Sequence, residues 1–189
     1  MLTGNRFARM WRTGLVLASG LAALVTGAAT AQTVSPPIQL PRMACGSSQL
    51  TASYVDGQGA AGTLEATLQL VNTSGSACAL DGYVTVQLLD GGGAPLPTND
   101  VAGGGVAGNF AGLSTFVLPP GAASQFAIFW SDVPTDGETT CPLANALQVA
   151  VPGDSTQLLV VVSGLAACNS GTVEVGPLRP PAHLRLELP

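Results

Sequence analysis

The chain predicts an all-β fold: an immunoglobulin-like antiparallel β-sandwich with two disulfides, behind a cleaved signal peptide. Three observations predict it. Apolar residues recur with period two in short runs, turn-forming residues punctuate those runs, and all four cysteines lie beyond an export-type N-terminus.

Residues 1–31 read as the signal peptide. Arg6, Arg9 and Arg12 form a positive n-region and Gly14 to Ala29 an apolar stretch. Ala29-Thr30-Ala31 then matches the small-x-small cleavage pattern, so the mature chain begins near Gln32. A retained membrane helix fits less well. The apolar stretch contains Gly14, Gly20 and Gly27, is short for a span of roughly 20 residues, and has no charged stop-transfer flank. A lipid anchor is disfavoured because Pro41-Arg42-Met43-Ala44, before the first cysteine Cys45, lacks lipobox character. There is no twin-arginine pair. With no second long apolar run, the mature chain carries no membrane span and is expected to be secreted or otherwise extracytoplasmic.

Cleavage leaves Arg42, Arg179 and Arg185 as the only basic residues against 11 acidic ones, and the chain contains no lysine. Three scattered arginines cannot neutralise a phosphate backbone, which excludes nucleic acid as a partner. Attraction to anionic membranes fails for the same reason. Charged residues make up 9% of the chain, where a typical domain has about 25%. A hydrophobic content of 47% nevertheless argues against disorder. The expected surface is one of Thr, Ser, Gly, Ala, Asn and Gln.

Residues 32–44, with Pro36, Pro37 and Pro41, read as an extended lead-in to a domain spanning 45–178. Leu64-Glu65-Ala66-Thr67-Leu68-Gln69-Leu70, Val84-Thr85-Val86-Gln87-Leu88 and Leu147-Gln148-Val149-Ala150-Val151 alternate cleanly. Phe126-Ala127-Ile128-Phe129-Trp130 places Phe126, Ile128 and Trp130 on one face. The nearly continuous apolar run Gln157 to Val162 is expected to be a central strand. Gln49 to Val55 and His183 to Leu188 are weaker strand signals, the latter within a tail or edge strand at 179–189. Turns fall at Asn72-Thr73-Ser74-Gly75, Asp90-Gly91-Gly92-Gly93, Pro119-Pro120-Gly121, Val151-Pro152-Gly153-Asp154 and Asn169-Ser170-Gly171.

The glycine-rich segment from Asp90 to Gly112 is expected to be one long loop. It is either a tolerated connection or a recognition loop on a rigid scaffold. In the second case Asn109 and Phe110 are the candidate partner-binding residues.

Cys45, Cys78, Cys141 and Cys168 permit three pairings. Cys45–Cys78 with Cys141–Cys168 is favoured, because each bond joins neighbouring segments within one half of the chain. Zinc and redox sites use close ligand pairs, whereas these cysteines stand 33, 63 and 27 positions apart. Structural disulfides are therefore expected, with no metal and no cofactor.

Cys45, Gly59-Ala60-Ala61-Gly62 and Leu70-Val71-Asn72-Thr73-Ser74-Gly75-Ser76-Ala77-Cys78-Ala79-Leu80-Asp81-Gly82-Tyr83 together carry a resemblance. So do the later Leu118-Pro119-Pro120-Gly121, Trp130, Cys141 and Cys168. The chain resembles a family of exported bacterial proteins catalogued as a domain of unknown function. The resemblance covers roughly Cys45 to Leu178, and its most specific piece is Asn-Thr-Ser-Gly followed by Cys-x-Leu-x-Gly-Tyr. Members commonly carry Pro after that Tyr and His after the earlier Gly. This chain has Val84 and Thr63 there, so no role tied to those residues carries over. The resemblance implies a disulfide-stapled β-sandwich and supplies no activity.

Chemical motifs are sparse. Gly57-Gln58-Gly59-Ala60-Ala61-Gly62 fits G-x-G-x-x-G with Asp81 about 20 residues on, but a dinucleotide site needs that run between a strand and a helix. It is read as a hairpin loop. His183 is the only histidine, and no G-x-S-x-G elbow or H-E-x-x-H motif accompanies it. Asp132, Asp136 and Glu138 gather in one turn without the spacing of a calcium loop and are read as a solvated acidic turn. Asn72-Thr73-Ser74 is formally a glycosylation sequon, read here as turn chemistry. Tyr83 and Trp130 are the aromatics to follow, Trp130 either in the core or facing a ligand.

The functional expectation is an exported, non-enzymatic module binding an extracellular protein or an envelope glycan. The alternative is an exported hydrolase with a noncontiguous site.

Overall fold

The alternating runs become strands because only every second side chain can reach a core from a pleated backbone. The computed structural model describes residues 43–104, 106–107, 115–135 and 137–181, all within the unit Gln39–Pro189. The expected signal peptide at 1–31, nearly all of the lead-in at 32–44, Asn109, Phe110, Asp136 and the tail from 182 with His183 lie outside these residues.

In chain order the strands are β1 Leu50–Ala60, β2 Thr63–Asn72, β3 Cys78–Leu80, β4 Thr85–Leu89, β5 Asn99–Ala102, β6 Phe116–Leu118, β7 Ala123–Ser131, β8 Leu143–Ala150, β9 Gln157–Ala166 and β10 Thr172–Val175. They form a five-stranded sheet in the order β1-β2-β7-β10-β5, a three-stranded sheet β4-β8-β9 and a short pair β3-β6. Leu68, Leu70, Phe126, Ile128, Val173 and Val175 of the first sheet share one buried core with Val86, Leu88, Leu147, Val149, Val160 and Val162 of the second. Cys78, Leu80 and Leu118 of the short pair join the same core. Two sheets around one core make a sandwich. Each fully buried side chain of this kind contributes roughly 1.5–3 kcal/mol relative to exposure.

The two disulfides are Cys45–Cys78 and Cys141–Cys168, with Cα atoms 4.9 and 4.5 Å apart. The first ties the chain ahead of β1 to β3, where the Cys45 N–H also donates to the Ala79 carbonyl at 2.9 Å. The second ties the approach to β8 to the turn after β9. That turn, Cys168–Gly171, is left-handed, with φ of 55° at Asn169, 58° at Ser170 and 73° at Gly171.

Three expectations are corrected. Gln157 to Val162 is not a central strand: β9 lies at the edge of its sheet, with Leu159 61% and Val161 75% exposed. Only its alternate residues Val160 and Val162 reach the core, and an apolar run does not record which of its faces is covered. The segment 90–112 is not one uninterrupted loop. Asp90 closes a turn by accepting from the Gly92 and Ala94 N–H groups at 2.9 and 2.8 Å, and β5 follows, paired parallel with β10. That parallel pair is the exception in a ladder otherwise antiparallel among the named strands. Residues Asn99 to Ala102 alternate too weakly to signal a strand, and only the presence of β10 makes them one. Finally, Gly57 to Ala60 are not loop but strand. The turn between β1 and β2 is Ala61-Gly62 alone, with φ of 51° and 82°, the positive pair that suits a two-residue hairpin.

Candidate functional site

Core-facing positions along β1 and β2 change character halfway up the hairpin. Leu50, Ala52 and Tyr54 stand opposite Asn72, Leu70 and Leu68. The register then slips at a bulge between Tyr54 and Asp56, after which Gly57 faces Ala66 and Gly59 faces Leu64. Ala66, Leu68 and Leu70 are all buried on one face, so between Leu68 and Leu64 that face carries only Ala66 opposite Gly57, where a filled sandwich would carry large side chains. The result is a cleft of about 530 Å³ between the hairpin and the end of β9, lined by Tyr54, Gly57, Leu64, Trp130, Ser163 and Leu165 among others.

At the other end of β1 and β9 from the cleft, the two strands are tied together. The Ser47 N–H donates to the Asp154 carboxylate and the Ser47 hydroxyl donates to the Thr156 carbonyl, both at 2.6 Å. These bonds tie the approach to β1 to the approach to β9. The Ser47 N–H, and then the Thr156 N–H at 2.8 Å, hold the Asp154 carboxyl down to about 2.

The glycines shape the walls by what they omit. A Cβ on Gly57 would meet the Tyr54 hydroxyl at 2.6 Å, so Tyr54 lies across the bare backbone there. Leu64 lies across Gly59 in the same way. Tyr54 remains 47% exposed. Trp130, at the end of β7, is partly buried against the core, and its indole N–H has no hydrogen-bond partner among the described residues. The Trp130 ring packs on the core, as the first alternative expected, and also forms a wall of the cleft.

Charge around this site is one-sided. Among the described residues Arg179 is the only basic one, against nine acidic residues. Arg179 bridges Gln125 at the start of β7, whereas Trp130 of the cleft lies near the end of that strand.

The other sequence candidates are distributed elsewhere. Val106 and Ala107 donate their N–H groups to the Glu174 carboxylate at 2.8 and 3.1 Å, which pins the described part of the glycine-rich segment to β10. In the acidic turn, Glu138 is engaged structurally. Its carboxylate accepts from the Ser170 and Asn169 N–H groups at 2.7 Å each, and these bonds lower its pKa. Glu138 also lies close to the sulfurs of Cys141 and Cys168, but both are locked in the disulfide and offer no thiolate to a metal. The Gly57–Gly62 run sits within a β-hairpin, so it lacks the strand-to-helix turn on which a pyrophosphate would rest. Tyr83 is half-buried and precedes β4. The sequence reasoning missed the cleft itself. The available signal was Gly57, a position without a side chain on one face of an otherwise alternating hairpin.

One family model, described as a domain of unknown function (DUF4232), matches residues 45–179. That match spans both disulfides, the hairpin and β9. The chain belongs to this family. No curated protein and no solved structure matches the chain. The DUF4232 assignment agrees with the resemblance carried by the Asn72–Tyr83 motif and attaches no reaction to it. Among the described residues, no helix is long and apolar enough to cross a membrane.

Proposed function

We propose that the protein is an exported, non-enzymatic binding module whose cleft between the β1–β2 hairpin and β9 takes an extracellular or cell-envelope partner. The observation that carries this reading is the pair Gly57 and Ala66, opposite each other on the hairpin, which leaves the end of the sandwich unfilled beside Tyr54 and Trp130. Aromatic rings with one apolar body and one polar handle are efficient contact surfaces. The two disulfides suit an oxidising, extracytoplasmic setting, as does the N-terminal export pattern. The hydrolase alternative rests on His183, which lies outside the described residues.

The test is capture of a partner from the culture medium and cell surface by the exported protein, compared with its Tyr54→Ala variant. Tyr54 is half exposed, so the variant is expected to fold and to lose most of the captured material. Unchanged capture by Tyr54→Ala sinks the cleft reading. Turnover in a hydrolase screen that vanishes in His183→Ala sinks the non-enzymatic one.

A further inference from the structure

We infer that β9 is the docking edge for a polypeptide strand: the partner adds as an extended, apolar-alternating, cationic segment along β9, beside the cleft. This deepens the proposed function and rests on it.

Three observations converge. β9 is ten residues long and pairs on one side with β8; among the described residues no strand is hydrogen-bonded to its other edge, although β1 lies against it and Ser47 binds the Thr156 carbonyl just before its start. Natural edge strands are blunted by charge, proline, shortness or a bulge; Gln157 to Val161 has none of these and pairs residue for residue with β8, whereas the ladder is interrupted between Val161 and Leu165, where Gly164 takes a φ of 71°. Second, Leu159 and Val161 project from its outer face, 61% and 75% exposed, at the spacing of successive cross-strand contacts. An added strand would cover both. Third, the cleft opens immediately beyond that regular stretch, from Val161 to Leu165 where the ladder is irregular, and ends on Tyr54, Leu64 and Trp130. Strand addition of this kind draws affinity from main-chain hydrogen bonds and specificity from side-chain pockets beside the edge.

Charge selects the occupant. Asp56 on β1, Glu65 on β2 and Asp132 just after β7 surround the cleft end of the sandwich, and the only described cation, Arg179, stands near the other end of β7. A segment with lysine or arginine flanking its apolar residues is attracted to that end, and an acidic one is repelled. A second copy of this chain would bring like charge to the same end.

The test titrates the exported protein with short synthetic peptides and reads backbone amide shifts by NMR. The first peptide alternates valine and threonine between lysine ends. The second is identical but N-methylated at alternate amides, and the third has glutamate ends. The lysine-ended peptide is expected to shift β9 amides. N-methylation and glutamate ends are each expected to weaken binding about tenfold, the charge effect shrinking as salt rises. Val161→Lys, at an exposed site, should keep the thermal midpoint and also weaken binding about tenfold.

Binding that ignores N-methylation overturns strand addition. If Tyr54→Ala abolishes partner capture while no peptide binds β9, this inference falls and the proposed function stands. If peptides bind β9 while Tyr54→Ala leaves capture intact, the cleft reading falls and strand addition stands. Dimerisation of the protein alone that Val161→Lys abolishes makes the occupant a second copy, and overturns the assignment to a cationic partner.

Discussion

The Asn72 carboxamide donates to the Leu118 carbonyl at 2.9 Å, joining the end of β2 to β6 across 46 residues. Asn72 is fully buried, and its other bonds are local. Its Nδ2 also donates to the Ser76 carbonyl at 2.8 Å, while its Oδ1 accepts from the Ser74 N–H at 3.0 Å and the Ser74 hydroxyl at 2.7 Å. One side chain therefore shapes the Asn-Thr-Ser-Gly turn, places Cys78 for its disulfide and docks β6.

Asn72→Ala leaves the buried Leu118 carbonyl without this donor and removes the local bonds of the turn, and is expected to cost about 1–3 kcal/mol. Asn72→Asp is expected to cost at least as much at neutral pH, because a carboxylate cannot donate to either carbonyl. Urea unfolding measures both. A loss below about 1 kcal/mol for Asn72→Ala would contradict the role assigned to this hydrogen-bond set.

Gly171→Ala addresses the left-handed turn. A Cβ there overlaps the Pro97 carbonyl, and the residue needs a φ of 73° besides. The variant is expected to lose at least about 2 kcal/mol, from backbone strain and forced displacement together. Gly75→Ala is the control: its added Cβ meets nothing within 4 Å, so it should unfold near the parent midpoint.

The two staples carry separate expectations. Intact mass under non-reducing conditions should show no free thiol, with four hydrogen atoms gained on full reduction of both bonds. In the chain-entropy view each bond contributes about 3–4 kcal/mol, so Cys45→Ala/Cys78→Ala and Cys141→Ala/Cys168→Ala should each lower the unfolding free energy by a comparable amount. Equal urea midpoints for parent and either double variant would remove that staple from the account of stability.

Two carboxylates give opposite pH signatures. Asp154 has its pKa held down to about 2 by the Ser47 and Thr156 N–H groups. The unfolded chain takes up that proton first, so the stabilisation is complete above the ordinary value of 3.8 and is lost as pH falls toward 2. Asp154→Asn should flatten the acid limb of a melting profile between those values. Asp100 is different: burial raises its pKa against the weaker pull of the Val86 N–H, and its Oδ1 has no partner among the described residues. Here the folded state holds the proton longer, so stability falls as pH rises past the ordinary carboxylate value. Asp100→Asn should raise the melting temperature at pH 7 and lose that advantage in acid. A constant gain at every pH would show that charge is not the cause.

Legibility followed the kind of force involved. β2, β7 and β8 were readable because one face of each meets the core and the other does not, which writes a period of two into the residues. β5 and β10 were not, because four-residue strands carry too few alternations and owe their pairing to each other. β9 was readable as a strand but not as an edge. Its apolar character is shared by Val160, which is buried, and Val161, which is not, and nothing local separates them. The cleft was hidden for a related reason. Gly57 looks like a turn residue until the bulge between Tyr54 and Asp56 sets it opposite the buried Ala66.

The sequence by itself determined the strand-rich class, the favoured cysteine pairing and an acidic, lysine-free chain, because periodicity, spacing and charge are local or additive properties. The tertiary structure alone decided that β9 keeps a free edge, that β5 runs parallel to β10, and that an unfilled cleft lies between β9 and the hairpin. Those outcomes depend on which distant segments occupy the same space, and side chains that are absent leave no signal until the surrounding walls are in place.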